Sequence, residues 1–329
     1  MRLALLEVSH WHFPLYVDAL GRAGVEVVAV SDRDPAIRAR YAERFSARAY
    51  DDALALIGTE DFDFAFAFGR HAEMPAIGLA LIAGGRPFAI EKPAGLGAAD
   101  VARLRHAAEA KGLYVAVPLV QRFGALNELL QRLVAEEGAQ FTSASWRFFA
   151  GPPGRYLDHA CAWMLEPEQS GGGCLINLAA HFVDLSQHLL GEPATVTART
   201  ASALHGRRVE DYAMLSFATA DGRTALIETG YCFPAHAAKR EYSFSLAGRG
   251  HYVQSAPDGV SIYRPGDATP ERVALEHDSD PLYGAFAARV IDDVRMRRPP
   301  LTGLAELEAA MRTIDAAYAA ARAGREVRL

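Results

Sequence analysis

Short apolar runs alternate with amphipathic segments along the first 120 residues. The apolar runs are rich in Val, Ile and Phe and predict β-strands: LALLEV, VEVVAVSD, FDFAFAFG, RPFAIEKP and LYVAVPLV. The segments between them repeat apolar residues at i, i+3 and i+4, which predicts helices: YVDALGRAG, PAIRARYAERF, MPAIGLALIAGG and AADVARLRHAAEAKG. Such strict alternation predicts an α/β domain over residues 1–120, with a doubly wound parallel sheet covered on both faces.

The pattern changes after residue 123. Helical spacing over 125–137 and again from Asn177 is followed, from residue 194 onward, by several strand patterns separated by glycine turns. Helical patterns over 283–295 and 304–323 close the chain. We therefore expect an α+β domain over 121–329 with a large, mostly antiparallel sheet. We expect its C-terminal helix to pack back on the first domain, and a site in the crevice between the domains.

Composition excludes several classes of function. The chain has 329 residues, half of them hydrophobic, and a formal net charge of -6, which disfavours nucleic acid and anionic membranes as partners. No run of 18 apolar residues predicts a membrane span, and the first residues lack the pattern of a signal peptide, so a cytoplasmic location is expected. The three cysteines, Cys161, Cys174 and Cys232, are predicted to be reduced and mostly buried.

An acidic residue follows the second predicted strand, in the sequence SDRDP. Asp32 lies about 20 residues past the first strand–helix turn, where an acid can accept hydrogen bonds from an adenosine ribose. The alternative is that this segment only caps the next helix through Asp34 and Pro35. Arg33 is next to Asp32 and could accept a 2′-phosphate, so both NAD and NADP are candidate cofactors.

The sequence AIEKPAG places charges at the end of another predicted strand. Glu91 and Lys92 there lie on the ligand-binding edge of the sheet. The Lys92 amine could hydrogen-bond a substrate hydroxyl and a nicotinamide ribose, or donate a proton if its pKa were lowered. The alternative is an ordinary surface lysine.

A glycine triplet precedes a polar row in SGGGCLINLAAHFVDLSQHLLG. Asn177, His181, Asp184 and His188 are separated by four, three and four residues, so they share one helical face. An isolated histidine on an apolar helix is usually a core residue, but a buried row of this kind needs a partner for every group. The spacing also resembles a pair of metal-binding histidines, yet a third ligand is lacking and we predict no metal site.

Together these stretches resemble the Gfo/Idh/MocA oxidoreductases over nearly the whole chain. VVAVSDRDP resembles the family's second strand, PFAIEKPAG its EKP motif, and GGGCLINLAAHFVDLSQHLLG its helix with a catalytic histidine. The resemblance implies a Rossmann-type domain that binds NAD or NADP through Asp32, Arg33, Glu91 and Lys92. It also implies that Lys92 contacts the substrate while His181 takes a proton from a hydroxyl of a sugar, cyclitol or related polyol, as hydride moves to nicotinamide.

Two parts of the site depart from the family pattern. Asn177 stands one turn before His181 where the family often has Asp. An amide cannot relay a proton or stabilise an imidazolium by charge, so His181 would act with weaker support or on a different substrate. We expect Asn177 among both the catalytic and the substrate-binding residues. In the loop after the third predicted strand, a Pro and a His are common in the family, whereas this chain has Arg70 and Met74, with His71 nearby. We still expect Arg70 and His71 to contact the cofactor.

The third departure is the first turn, LEVSHWH. Aligned with G-x-G-x-x-G, the three glycines become Glu7, Ser9 and His12. Glu7 would repel a pyrophosphate unless it is protonated or points away. We expect a dinucleotide to be held here through backbone amides and by the residues of the turn: Ser9, His10, Trp11 and His12.

The loop FFAGPPGRYLDHACAW carries polar and aromatic residues of the kind that contact sugars. We expect Arg155, Tyr156, His159 and Trp163 to contact a polyhydroxylated small molecule, together with Lys92. The resemblance further implies a homodimer or homotetramer formed through the C-terminal sheet. Two alternatives remain open, namely a ligand or dinucleotide sensor without turnover, and an NAD-dependent lyase or glycosidase in which oxidation is transient.

Overall fold

A computed structural model describes all residues, 1–329. The first 120 residues alternate strand and helix as predicted. The strands are β1 Arg2–Leu6, β2 Glu26–Ser31, β3 Arg48–Tyr50, β4 Phe64–Ala67, β5 Phe88–Ile90 and β6 Val115–Ala116. The helices are α1 Pro14–Arg22, α2 Pro35–Phe45, α3 Ala53–Thr59, α4 Met74–Ala83 and α5 Ala98–Glu109.

These strands form one parallel sheet in the order β3-β2-β1-β4-β5-β6. All four residues of β4 are buried, and so are four of the five in β1, because helices cover both faces of the sheet. Strands β2 and β3 are added on one side of β1, and β4, β5 and β6 are added on its other side, so the strand order reverses between β1 and β4. The carboxyl ends of those two strands therefore border the crevice in which open α/β sheets bind ligands.

A second set of elements follows residue 119. It contains helices α6 Ala125–Glu137, α7 Arg155–Asp158, α8 Pro167–Ser170 and α9 Ala180–Leu190, with short 3-10 helices at Val120–Phe123 and Ala162–Leu165 and one π-helical turn at Leu175–Ala179. Helices α10 Asp280–Arg295 and α11 Leu304–Ala323 close the chain. None of the helices combines the length and the apolar character that a membrane span requires.

The remaining strands form a nine-stranded sheet. They are β7 Gln140–Ala150, β8 Pro193–Ala201, β9 Tyr212–Thr219, β10 Thr224–Gly230, β11 Arg240–Arg249, β12 His251–Ala256, β13 Gly259–Tyr263, β14 Glu271–Ala274 and β15 Val327–Arg328. The order is β14-β13-β12-β11-β7-β10-β9-β8-β15. Every neighbouring pair is antiparallel except β7 and β10. The predicted fold class, a doubly wound parallel sheet followed by an α+β part with a mostly antiparallel sheet, is confirmed.

One face of this second sheet carries the apolar core. In β9 buried and half-buried residues alternate along the strand, as expected for a sheet with one covered face. Trp146 of β7 packs on Phe182 of α9 with ring centroids 5.9 Å apart, and its indole N–H donates to the Ser186 hydroxyl at 2.8 Å. The helix that carries His181 is thereby fixed on the sheet.

The chain divides into two compact units that differ from a simple split by sequence. The first contains residues 1–119, 154–171 and 280–308, and the second contains residues 120–153, 172–279 and 309–329. The parallel sheet lies in the first unit and the nine-stranded sheet in the second. The segment 154–171, which holds the predicted substrate residues, therefore belongs to the compact unit of the parallel sheet.

Candidate functional site

In the turn after β1, Glu7 adopts a backbone conformation that is typical of glycine. Glu7 has φ 58°, in the left-handed region that glycine adopts most easily. Its amide donates to the Ser31 hydroxyl at 3.2 Å, and the amide of Val8 donates to the Ser31 carbonyl at 3.2 Å. Hydrogen bonds to the end of β2 thus hold the chain in a tight turn at the first of the three aligned glycine positions.

Backbone amides of this turn are already bonded within the protein. The Ser9 amide donates to the Asp32 carboxylate at 2.5 Å, the His10 amide to the Glu7 carbonyl at 3.4 Å, and the His12 amide to Nδ1 of His10 at 3.2 Å. Helix α1 begins at Pro14, which has no amide hydrogen. The turn therefore lacks the open row of N–H donors found in a glycine-rich phosphate loop.

Asp32 is fully buried at the end of β2. Its second oxygen accepts the Asp34 amide at 2.8 Å, so both carboxylate oxygens have backbone partners. Asp34 is the N-cap of α2 and accepts the amides of Ala36 and Ile37, as the alternative based on helix capping predicts. The two acids thus have separate local roles, and the ribose contact of Asp32 stays a prediction.

A cavity of about 330 Å³ opens at the carboxyl ends of β1, β2 and β4. Of the residues predicted to bind the cofactor, the following line this cavity: Ser9, His10, Asp32, Arg33 and Arg70. The others do not line it: Trp11, His12, His71, Glu91 and Lys92. The lining includes Glu7, Ser9, His10, Asp32, Arg33, Gly69, Arg70 and Trp163. The first turn and the β4 loop therefore meet in one cavity, as the predicted nucleotide site requires.

The segment 154–171 covers the first turn. Cys161 Sγ donates to the Ser9 carbonyl at 3.3 Å, and the rings of His10 and Trp163 are 5.8 Å apart. The Trp11 ring lies edge-on to Tyr156 at 5.7 Å. Predicted substrate residues therefore pack directly against predicted cofactor residues, an arrangement that sequence spacing alone does not indicate.

Arg155 completes this aromatic cluster. Its guanidinium carbon lies 5.0 Å from the Trp11 ring centroid and 4.9 Å from that of Tyr156, and it donates to the Tyr156 hydroxyl at 2.9 Å. His159 is exposed and lines a separate cavity of about 460 Å³ next to Pro14. The four residues predicted as a group therefore divide into three that lie together and one that lies apart.

His71 is buried and holds the β4 loop to the same segment. Its Nδ1 hydrogen-bonds the Ser170 carbonyl at 2.8 Å, and its ring lies edge-on to Trp163 at 4.9 Å. Burial lowers the pKa of His71 to about 3, and the Ser170 carbonyl only partly opposes this. A neutral His71 donates through Nδ1, because a carbonyl oxygen can only accept.

A buried hydrogen-bond network joins the first turn to the EKP sequence. One Glu91 oxygen accepts the Tyr16 hydroxyl at 2.8 Å and lies 3.2 Å from Nδ1 of His12. Nε2 of His12 lies 3.0 Å from the Tyr283 hydroxyl, and burial raises the pKa of Glu91. Sequence analysis missed Tyr16 and Tyr283, because Tyr16 fits the apolar face of a helix and Tyr283 is more than 190 residues from the EKP sequence.

Lys92 follows Glu91 at the carboxyl end of β5 and is 2 % exposed. Burial lowers the pKa of Lys92 to about 8, the Glu91 carboxylate opposes the shift, and the Arg155 guanidinium adds to it. A surface lysine would keep its ordinary pKa. The alternative of a surface lysine is therefore wrong, because the side chain is enclosed.

The second unit contains the other predicted catalytic residues. Asn177 lies in the π-helical turn and donates from Nδ2 to the Tyr231 hydroxyl at 3.1 Å. His181 is 8 % exposed in α9, and Asp184 accepts Arg122 through both oxygens, at 2.9 and 3.3 Å. His188 is exposed, because it lies in the last turn of α9 near Gly191, so the predicted row of four has three buried members.

A buried carboxylate fixes the glycine triplet. Glu210 Oε1 accepts the amides of Gly173 and Leu175 at 2.8 and 2.9 Å and the Tyr318 hydroxyl at 2.8 Å. A Cβ on Gly173 would lie 2.1 Å from the Glu210 carbonyl oxygen, and one on Gly172 would lie 2.0 Å from the Tyr318 hydroxyl. The triplet therefore serves close backbone packing that orients the start of the helical segment with Asn177 and His181. No group of three or more His, Cys, Asp and Glu side chains has the arrangement of a metal site.

Comparison with known proteins found a family model that matches part of the second unit. Residues 139–251 match the family model of the GFO/IDH/MocA C-terminal domain. The resemblance to this family is thereby confirmed for the part of the chain that contains the GGG-to-His sequence, and the matched residues include β7, β8, β9, β10 and β11.

Two of the curated relatives that the chain matches are enzymes. A dTDP-3,4-didehydro-2,6-dideoxy-alpha-D-glucose 3-reductase of Saccharopolyspora spinosa is 33% identical over 53% of this chain and 51% of its own. A trans-1,2-dihydrobenzene-1,2-diol dehydrogenase of Macaca fuscata fuscata is 26% identical over 54% of this chain and 52% of its own. The chain spans about half the length of the curated relatives it matches.

A solved structure matches the fold over the whole chain. The WlbA dehydrogenase from Bordetella pertussis, crystallised with NADH and UDP-GlcNAcA, has a TM-score of 0.88 and 20% identity, with coverage of 100% of this chain and 97% of that one. At that identity the likeness establishes the fold.

Proposed function

We propose that the chain is an NAD- or NADP-dependent oxidoreductase. It transfers a hydride between the nicotinamide and a hydroxyl-bearing carbon of a sugar, cyclitol or related polyol. The observation that carries the proposal is the enclosed Lys92 at the ligand-binding edge of the sheet, whose pKa of about 8 leaves it a charged hydrogen-bond donor at neutral pH. The names of the relatives, a sugar reductase and a diol dehydrogenase, support this reaction class.

The residues at the sheet edge fit a dinucleotide on one condition. The cavity borders the point where strand order reverses, Glu7 adopts the φ of a glycine, and the side chains of Arg33 and Arg70 supply positive charge to phosphates. The backbone amides are bonded elsewhere, so the arginines and Ser9 are the groups that would hold the diphosphate. The condition is that Glu7 is uncharged, because an ionised carboxylate beside a phosphate is repelled.

The nicotinamide, when bound, supplies the hydride acceptor or donor. In our proposal the Lys92 ammonium donates a hydrogen bond to the substrate hydroxyl oxygen, and so stabilises the negative charge that develops there on oxidation. His181 takes the hydroxyl proton as general base and returns it in the reverse reaction. Asn177 is held by Tyr231 and orients the substrate without moving a proton, because an amide does not titrate.

The segment 154–171 would bind the substrate. Arg155, Tyr156 and Trp163 all lie against the first turn, and aromatic rings beside a guanidinium suit the polar edges and apolar faces of sugars. His159 is exposed and lines the neighbouring cavity next to Pro14, so it would contact only a substrate that extends that far.

A dinucleotide or ligand sensor without turnover is the second candidate. The occupied amides of Ser9, His10 and His12 favour it, since they weaken the usual diphosphate cradle. A sensor predicts ligand binding that survives loss of Lys92 or His181, with no change in nicotinamide absorbance.

We further propose a homo-oligomer formed through the nine-stranded sheet. The sheet face opposite α9 has a shallow cavity of about 450 Å³ lined by small residues, among them Ser145, Thr197 and Ser216, beside the exposed Leu226. Small polar side chains allow two flat sheets to approach closely.

The test is turnover of a panel of sugars, cyclitols and polyols with NAD+ or NADP+, followed at the absorbance of reduced nicotinamide. The wild type should turn over at least one substrate class, and Lys92→Ala or His181→Ala should lower kcat/KM by about 100-fold or more. Absence of turnover with every substrate, in a protein that binds the dinucleotide, would support the sensor. Product without net cofactor reduction would indicate a lyase or glycosidase.

A further inference from the structure

The Glu7 side chain crosses the floor of the cavity between two strands. It is 6 % exposed, and its Cγ lies 3.6 Å from the place a Cβ on Gly69 would occupy, just past the end of β4. The Ser31 hydroxyl lies 3.5 Å from its Oε1. The carboxyl group therefore lies across the carboxyl ends of β1, β2 and β4, where a diphosphate belongs in a doubly wound sheet.

Charged groups from each neighbouring element face this carboxyl. Arg33 Nε lies 3.5 Å from Glu7 Oε2, and the same guanidinium donates to Glu73 at 2.6 Å. The other charged residues around the cavity are Asp32, Asp34 and Arg70, and the turn itself adds His10. Burial holds the pKa of His10 well below its ordinary value, so this imidazole is neutral. With Glu7 ionised, four carboxylates face two guanidiniums.

The carboxyl of Glu7 changes its charge near neutral pH. Burial first, and then the Asp32 carboxylate, raise the pKa of Glu7 to about 7, while Arg33 acts in the opposite direction. Adding the negative charges of a diphosphate to the same cavity favours the neutral carboxyl further.

We propose that the dinucleotide binds with the uptake of one proton at the Glu7 carboxyl. The ionised side chain, one proton and the dinucleotide combine to a complex in which Glu7 is a neutral acid. This inference rests on the proposed cofactor and adds to it a proton that the binding reaction consumes.

A neutral Glu7 also supplies a hydrogen-bond donor in place of the backbone amides of the turn, which are bonded within the protein. A protonated carboxyl has an O–H donor, whereas an ionised one only accepts. Glu7 can then donate to an anionic oxygen in the cavity, as the Ser9 amide does in the structure toward Asp32. A glutamate in a glycine position thus supplies by protonation a donor that a glycine-rich loop supplies from its backbone.

The experiment is a fluorescence titration with NADH between pH 6 and 8, for the wild type, Glu7→Gln, Glu7→Gly and the matched control Glu73→Gln. Wild-type Kd should be constant well below pH 7 and approach a tenfold rise per pH unit above it, because one proton is taken up. Glu7→Gln should bind with a Kd independent of pH and near the wild-type value at pH 6. Glu73→Gln should keep the wild-type slope, since its carboxyl is more exposed.

Calorimetry of NADH binding at pH 7.5 in buffers of different ionisation enthalpy counts the proton directly. The wild type should take up a large fraction of one proton and Glu7→Gln none. Glu7→Gly covers the case in which Gln disturbs the turn, since glycine adopts φ 58° without strain. Measurable NADH binding with a Kd independent of pH in the wild type would overturn proton uptake and leave the cofactor intact. Absence of NADH binding in all folded variants at every pH would overturn both.

Discussion

At the first turn, hydrogen bonds to neighbouring residues hold a conformation that a glycine would adopt without strain. Glu7 in the left-handed region costs about 1 kcal/mol relative to a glycine, and the hydrogen bonds that the Glu7 and Val8 amides donate to Ser31 offset that strain. Asp32 takes the Ser9 amide that a phosphate would otherwise take. The same residues therefore stabilise the fold of the turn and reduce its anion-binding capacity.

Glu7→Gln should stabilise the protein at neutral and alkaline pH but not in acid. The pKa of Glu7 is about 7 in the folded protein and near its ordinary value of 4.5 when unfolded, so the folded state binds more protons between these values and stability falls as pH rises through them. The neutral variant lacks this loss and should gain up to about 3 kcal/mol at pH 8 and little at pH 4.5. Thermal unfolding at both pH values measures it, and an equal gain at both would contradict the titration of Glu7.

Lys92 should set an alkaline limit on activity. Its ammonium donates to the substrate oxygen, and with a pKa of about 8 it loses that charge as pH rises further. At saturating cofactor, kcat/KM should therefore decline above pH 8. Lys92→Arg keeps its charge in this range, so the decline should vanish whatever the absolute rate. A profile of unchanged shape in Lys92→Arg would assign the limit to another group.

The sequence predicted the position of a residue correctly where a short local pattern was enough to determine it. Lys92 follows an apolar strand, and Asp34 precedes a Pro-initiated helix, so the sheet edge and the cap were predictable. The Glu91–His12–Tyr283 network was not, because it joins residues up to 271 positions apart. That Asp32 accepts the Ser9 amide, in place of a phosphate, was not predictable for the same reason.

The GGG-to-helix element is shaped by close backbone approach. Glu210 binds the amides of Gly173 and Leu175, and the π-helical turn follows directly. The glycines were visible in the sequence, but Glu210 and Tyr318, which require them, are 37 and 145 residues beyond Gly173. Two other elements, β3 and α3, were missed because three residues of strand and seven of helix give too short a periodic signal.

Gly173→Ala should destabilise the protein by about 3 kcal/mol, because the added Cβ meets the Glu210 carbonyl oxygen at 2.1 Å. Gly58→Ala is the control, since its Cβ meets nothing within 4 Å in α3 and should be neutral or stabilising by about 0.5 kcal/mol. Chemical unfolding of both variants measures the difference. Equal stability of the two would show that the triplet has no packing role.

At the scale of the molecule, the two sheets differ in the burial pattern of their strands. Continuous apolar strands predicted the parallel sheet, and successive strand patterns separated by glycine turns predicted the antiparallel one. The assignment of 154–171 and 280–308 to the first unit was beyond sequence reasoning, because it depends on contacts distant in the chain, such as Cys161 with Ser9.

The open face of the nine-stranded sheet should form the oligomer contact. Light scattering should give two or four times the mass of one chain, and Leu226→Arg should shift it to the monomer, because a charge buried between sheets is unfavourable. Leu204→Arg, at a residue 58% exposed in the same unit, is the control and should not change the mass. A mass unaffected by Leu226→Arg would place the contact elsewhere.

The central claim is that a dinucleotide binds at the carboxyl edge of the parallel sheet. A crystal structure of the full chain soaked with NADH at pH 6.5 tests it most directly. The account predicts a dinucleotide whose diphosphate lies in the cavity lined by Glu7, Ser9 and Arg33, with its nicotinamide toward Lys92. An empty edge at saturating NADH, or a dinucleotide bound at another place, would contradict it.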